Sequence, residues 1–103
     1  MGKGEPMKVI ILESAEKDVC MIREFLSEYG KKPTENFRKA VNQFYKNISR
    51  TPEMYPVYEL NKNFRAAVLI YKYIAFYQIN EAENKITVHH VLHGKRNIPN
   101  VLK

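Results

Sequence analysis

Phe64-Arg65-Ala66-Ala67-Val68-Leu69-Ile70-Tyr71-Lys72-Tyr73-Ile74-Ala75-Phe76-Tyr77-Gln78-Ile79 is a 16-residue run dominated by β-branched and aromatic side chains. It is roughly two to three times longer than an ordinary strand. The run therefore predicts two antiparallel strands with a turn near Tyr71-Lys72, although neither Gly nor Pro marks that turn. The side-chain period of two places Tyr71, Tyr73, Ala75 and Tyr77 on one face. Lys72, Ile74, Phe76 and Gln78 fall on the other.

On the C-terminal side, Asn80 to Lys85 is a polar connector, and Ile86 to about His93 alternates like a further strand. On the N-terminal side, Pro52 to Pro56 interrupts the chain, and before it the apolar period changes to that of helices. Phe37, Val41, Phe44, Tyr45 and Ile48 share one helical face. Ala15, Val19, Ile22, Leu26 and Tyr29 share another. Ser14 is the expected N-cap of the first helix, with Glu16 and Asp18 suited to its positive end. Gly30 supplies the left-handed stop, and Pro33 fits the first turn of the second helix. The short loop between them makes an antiparallel helical hairpin. Met7 to Leu12, an apolar run, is an expected first strand. The predicted class is α+β: a small antiparallel sheet packed on an N-terminal helical hairpin, in the order β-α-α-β-β-β.

A chain of 103 residues, 45% hydrophobic with seven Tyr and five Phe, is long enough for one domain with a core of its own. That domain is expected over residues 7–103, with Met1 to Pro6 as a flexible leader. Gly2 is no myristoylation signal, because Pro6 stands where the motif wants Ser or Thr. Cys20 is the single cysteine, so no intrachain disulfide is possible, and a packing role on the first helix is expected for it. No apolar run of about 20 residues and no signal-peptide core is present, which predicts a cytoplasmic protein with no membrane partner.

The formal charge of +6 is unevenly placed. Residues 1–59 carry 10 Lys/Arg against 9 Asp/Glu, whereas residues 60–103 carry 7 against 2. The cations accumulate where the histidines are: Val88-His89-His90-Val91-Leu92-His93-Gly94-Lys95-Arg96-Asn97. This asymmetry favours an anionic partner, or else a solvated basic face. On an alternating strand His90 points away from His89 and His93, and those two lie about 13 Å apart. Zinc ligands must converge at roughly 2 Å from the ion, so no metal site is expected. Cys20 has no acid–imidazole partners at a recognisable spacing, and Gly94-Lys95-Arg96 is not a phosphate loop. General acid–base or electrostatic chemistry from Arg65, Lys72, His93, Lys95 and Arg96 remains open.

The sequence resembles the ParE/RelE superfamily of bacterial toxin–antitoxin toxins. The resemblance runs from about Met7 to Asn97. It rests on Val9-Ile10-Ile11-Leu12-Glu13-Ser14-Ala15-Glu16-Lys17-Asp18, with Ile22 and Tyr29, on Phe64-Arg65, on Tyr73-Ile74-Ala75-Phe76-Tyr77-Gln78-Ile79, and on Val91-Leu92-His93-Gly94-Lys95-Arg96-Asn97. The last segment is similar to the ending of the ParE branch. The family fold, a small antiparallel sheet with a helical hairpin, is the one expected above.

The two branches imply different activities. RelE-like members are ribosome-dependent mRNA endonucleases that use Arg and Lys on the sheet with a C-terminal Tyr or His. The resemblance puts Ile74 and Leu102 where their strand arginine and C-terminal tyrosine would stand, while Lys95 and Arg96 are retained. ParE-like members inhibit DNA gyrase and catalyse no reaction, so the implied protein is an inhibitor without a cofactor. The binding candidates are Arg65, Lys72, Tyr73, His93, Lys95, Arg96 and Asn97. Were the chain a metal-independent nuclease, Arg65, His93, Lys95 and Arg96 would be its catalytic candidates, with ribosome and mRNA as partners. A third reading is an inactive homologue that only binds its antitoxin. The implied partners are a cognate antitoxin and gyrase, with operator DNA met only through the antitoxin complex.

Overall fold

Among the described residues, four strands and three α-helices arise where the apolar period changes, in the order β1 (Lys8–Ile11), α1 (Glu13–Ser27), α2 (Lys31–Arg50), β2 (Arg65–Val68), β3 (Tyr73–Asn80), β4 (Lys85–His93) and α3 (Ile98–Leu102). The computed structural model describes residues 6–102. The leader expected over Met1 to Pro6 lies, apart from Pro6, outside the described residues.

The sheet order is β1-β4-β3-β2. β2, β3 and β4 form the expected antiparallel meander. β1 instead pairs parallel with β4, from Lys8 opposite Lys85 to Ile11 opposite Val88, so the sheet is mixed. Alternation of side chains is the same in either direction, which is why the sequence pattern is silent on this point.

The meander turns at Tyr71 and Lys72, as expected, and both adopt positive φ (58° and 66°). Non-glycine residues pay about 1–2 kcal/mol to sit there. The surroundings hold the turn in place: Leu69 N–H donates to Tyr73 O at 2.7 Å, Gly94 N–H to Lys72 O at 2.9 Å, and Asn36 Nδ2 to Tyr71 Oη at 3.2 Å.

Two clusters pack on opposite faces of the sheet. The larger lies under the helical hairpin, with Ala15, Ile22, Leu26, Phe37, Val41, Phe44 and Ile48 against Tyr73, Ala75, Tyr77, Ile86, Val88 and Val91. The smaller unites Phe64, Phe76 and Leu92 with Ile98 and Leu102 of α3, a helix absent from the predicted order.

Three local expectations are corrected. Ser14 does not cap α1. Leu12 N–H continues the sheet ladder to Val88 O at 3.0 Å and Leu12 itself occupies the cap position, so Ser14 falls inside the first turn and donates its hydroxyl to His89 O at 2.6 Å. Cys20 is exposed rather than packed, because it follows Val19 by one residue and turns about 100° off the buried stripe. Tyr29 lies beyond the end of α1 and is 68% exposed. Gly30 has the expected positive φ, 114°, and leads directly into α2.

Tyr77 is fully buried and donates its hydroxyl to Pro52 O at 2.6 Å, tying β3 to the break after α2. Burial pushes its phenol up to about 12. An unfolded tyrosine titrates near 10, so the folded chain keeps a proton that the unfolded chain has released. The resulting stabilisation is complete below pH 10 and is lost as pH rises through 12, amounting to about 2–3 kcal/mol. Urea unfolding between pH 9 and 12 should show this decline in the unsubstituted chain and a shallower one in Tyr77→Phe.

Candidate functional site

The sheet end where β3 begins and β4 finishes gathers most of the predicted site residues. Tyr73 pairs with His93, and their rings meet edge to face at 5.2 Å. β4 then gives way to an exposed turn, Gly94 to Asn97. His93 organises this turn with two groups: Nδ1 accepts from Lys95 N–H at 3.2 Å and the carbonyl accepts from Arg96 N–H at 3.0 Å. A ring nitrogen that accepts is unprotonated, so neutral His93 carries its proton on Nε2. Lys72 is joined to the turn through the bond from Gly94 N–H to its carbonyl. Among the described residues Lys72, Lys95 and Arg96 form no ion pair, so their charges face solvent uncompensated.

Arg65 stands apart. On β2 it pairs with Tyr77 of β3 and donates from a guanidinium nitrogen to Tyr55 O at 2.7 Å. Tyr73 and Tyr77 lie four positions apart on β3, roughly 13 Å, and β2 and β4 flank β3 on opposite sides. The expected set of Arg65, His93, Lys95 and Arg96 therefore does not surround one groove. Arg65 braces the segment that precedes β2, while the other three remain together.

Beside the cationic turn lies an apolar groove of about 620 Å³, lined by Phe25, Leu26, Tyr29, Pro33, Tyr71, Tyr73 and His93. Phe25 and Tyr29 touch edge to face at 5.4 Å yet remain 51% and 68% exposed. Apolar spacing puts Tyr29 on the buried face of α1 and does not include Phe25. Their i, i+4 spacing on the solvent side of Leu26 was the available signal.

The histidines separate differently from the alternation expected of them. Phe76 pairs with His90 and Tyr77 with Val88, so His89 is the extra residue of a β-bulge. His89 and His90 consequently line one recess on the α3 side of the sheet, whereas His93 lines the groove on the hairpin side. Burial against Phe64, whose ring lies 5.1 Å away, pushes the His89 imidazole below its ordinary value, with His90 adding to the shift.

Asp18, expected only to complement a helix dipole, accepts from His90 Nδ1 at 2.8 Å and from Val91 N–H at 3.0 Å. It thereby clasps α1 to the part of β4 that extends past β1. Asp18→Ala strands both donors and should cost about 1–3 kcal/mol, read as a lower urea midpoint at unchanged slope.

Comparison with known proteins places this geometry in a family. Residues 9–98 match the family model described as the ParE toxin of type II toxin-antitoxin system, parDE. No curated protein matches in sequence. Among solved structures, similarity extends to a chain of the chromosomal ParDE TA system from P. aeruginosa (TM-score 0.71, 12% identity, 84% of this chain and 95% of that one). The toxin-antitoxin complex RelBE2 from Mycobacterium tuberculosis provides another (TM-score 0.61, 20% identity, 85% and 98%). A third is a metal-bound toxin from Helicobacter pylori (TM-score 0.58, 18% identity, 85% and 94%). At these identities the structural likeness establishes the fold.

Proposed function

Starting from a chain that belongs to the ParE toxin family of type II toxin–antitoxin systems, we propose that it acts by inhibiting bacterial DNA gyrase in the cytoplasm and is neutralised by a cognate antitoxin. The observation that carries this reading is the exposed turn Gly94 to Asn97, whose Lys95 and Arg96 are uncompensated, set against the apolar groove at the end of the sheet.

Recognition through this turn needs no reaction. Lys95 and Arg96 offer charge to an acidic protein surface or to the phosphates of gyrase-bound DNA, and His93 holds their backbone in one conformation through its two hydrogen bonds. A preorganised turn loses less entropy on docking than a flexible one. The nuclease alternative lacks support in the side chains. Ile74 and Leu102, at the positions where the RelE-like branch places its cation and tyrosine, both belong to the apolar cluster beneath α3. Neither can stabilise phosphorane charge or transfer a proton.

Neutralisation follows from the same juxtaposition. An acidic amphipathic antitoxin segment can seat apolar side chains in the groove while its carboxylates cover Lys72, Lys95 and Arg96. Tyr29→Ala, at an exposed position, should weaken the antitoxin complex about 10- to 100-fold in calorimetric titration without unfolding the chain.

The target is tested with purified protein in a gyrase supercoiling assay and by capture of cleaved DNA. Inhibition with trapped cleavage complex is expected. Unimpaired supercoiling together with cutting of ribosome-bound mRNA would transfer the assignment to the interferase branch, and growth without arrest on induced expression would point to an inactive homologue.

A further inference from the structure

The recess on the α3 side of the sheet belongs to no part of the toxin surface described above. It encloses about 340 Å³, near the lower end of the range for small-ligand pockets. Its polar lining consists of the side-chain amides of Asn61, Asn63 and Gln78 and the imidazoles of His89 and His90, with the Phe64 ring as a wall. Val101 and Leu102 add an aliphatic surface.

The β-bulge creates this combination, because a regular strand would send two consecutive imidazoles to opposite faces. Asp18 then sets the chemistry of one of them. A carboxylate only accepts, so His90 carries hydrogen on Nδ1, and in the neutral ring Nε2 is left as an acceptor. Asn63 N–H donates to Asn61 Oδ1 at 3.2 Å, whereas the side-chain amides of Asn63 and Gln78 have no hydrogen-bond partner among the described residues, so each of these two offers both a donor and an acceptor. Flat walls with mixed donors and acceptors suit a planar heteroaromatic ring with a hydrogen-bonding edge. A bare anion fits less well, since no Lys or Arg lines the recess. The adjoining hollow shares Asn63, Phe64 and Gln78 and adds Lys62 and Arg65, but also Glu53 and Glu81. Metal binding is disfavoured as well: one imidazole is committed to Asp18, and no group of three ligands occurs among the described residues.

We propose that this recess binds a nucleobase, presented by a free nucleotide or by an unpaired residue of a single-stranded nucleic acid. The site is independent of the gyrase reading, because it lies across the sheet from the cationic turn and its groove.

The test is a titration of the full chain, followed by the ring-nitrogen NMR signals of its three histidines. The probes are AMP, GMP, CMP and UMP, a short single-stranded oligonucleotide, and ribose 5-phosphate as the baseless control. A base in the recess shifts His89 and His90, and free nucleotides leave His93 in place. Shifts with nucleotides assign the ligand to the free form, and shifts with the oligonucleotide alone assign it to a strand. Asn63→Ala/Gln78→Ala should weaken binding at least about 10-fold. Gln78→Glu provides a second variant if the double substitution lowers folding. Equal shifts with ribose 5-phosphate, shifts confined to His93, no shift at millimolar probe, or undiminished affinity in the folded variants would each overturn the assignment.

Discussion

Lys95→Ala/Arg96→Ala is expected to abolish gyrase inhibition at concentrations where the unsubstituted chain inhibits fully, with melting unchanged within about 3 °C. Both side chains are exposed, and neither forms an ion pair or side-chain hydrogen bond among the described residues. Their removal should therefore stay within the roughly 0.5 kcal/mol typical of surface substitutions. At the target interface, two cations that pair with anionic groups are together worth about 2–5 kcal/mol, a loss of roughly 30-fold or more. The paired readout separates recognition from folding. Retained inhibition in the double variant would remove the turn from the target surface. Inhibition by the unsubstituted chain should also weaken with added salt, since exposed charges are screened beyond about 8–10 Å.

A second large effect is expected at Phe37→Ala, in the core beneath the candidate surface rather than on it. Phe37 is fully buried in α2 and meets Tyr73 edge to face at 5.4 Å. Truncating such a ring costs about 3–5 kcal/mol, against a total of about 5–15 kcal/mol for a domain of this kind. The melting temperature should fall by roughly 15–30 °C. Activity should fall with it, because Tyr73 links the hole left by Phe37 to the His93 ring that organises the cationic turn. Phe37→Leu keeps most of the volume and should cost markedly less in both measurements. Equal losses in the two variants would mean that ring shape, rather than filled volume, holds Tyr73 in place.

Much of the fold was legible in the apolar periods. The buried stripe of α2, the face of β3 carrying Tyr73, Ala75 and Tyr77, and the turn at Tyr71-Lys72 all follow from spacing alone. Strand direction was not legible, because parallel and antiparallel ladders share one period. α3 was missed, being five residues long and buried only through Ile98 and Leu102. In the site, the grouping of His93 with Lys95, Arg96 and Lys72 could be anticipated from chain proximity and hairpin geometry. The separation of Arg65 depends on register, and the shared recess of His89 and His90 depends on one bulged residue. Composition reports neither.

The parallel pairing of β1 with β4 has a kinetic meaning. Ser14 and His89, bonded across that junction, are 75 positions apart, and no intervening strand can satisfy the first one. Protein synthesis at about 5–20 residues per second inserts a delay of roughly 4–15 s between them. Through that interval β1 has no ladder, the hairpin lacks most of its sheet, and the cationic turn has not yet been made. Under the function proposed above, a nascent chain would be harmless until its last strand emerges, and an antitoxin already present would meet the surface as it forms.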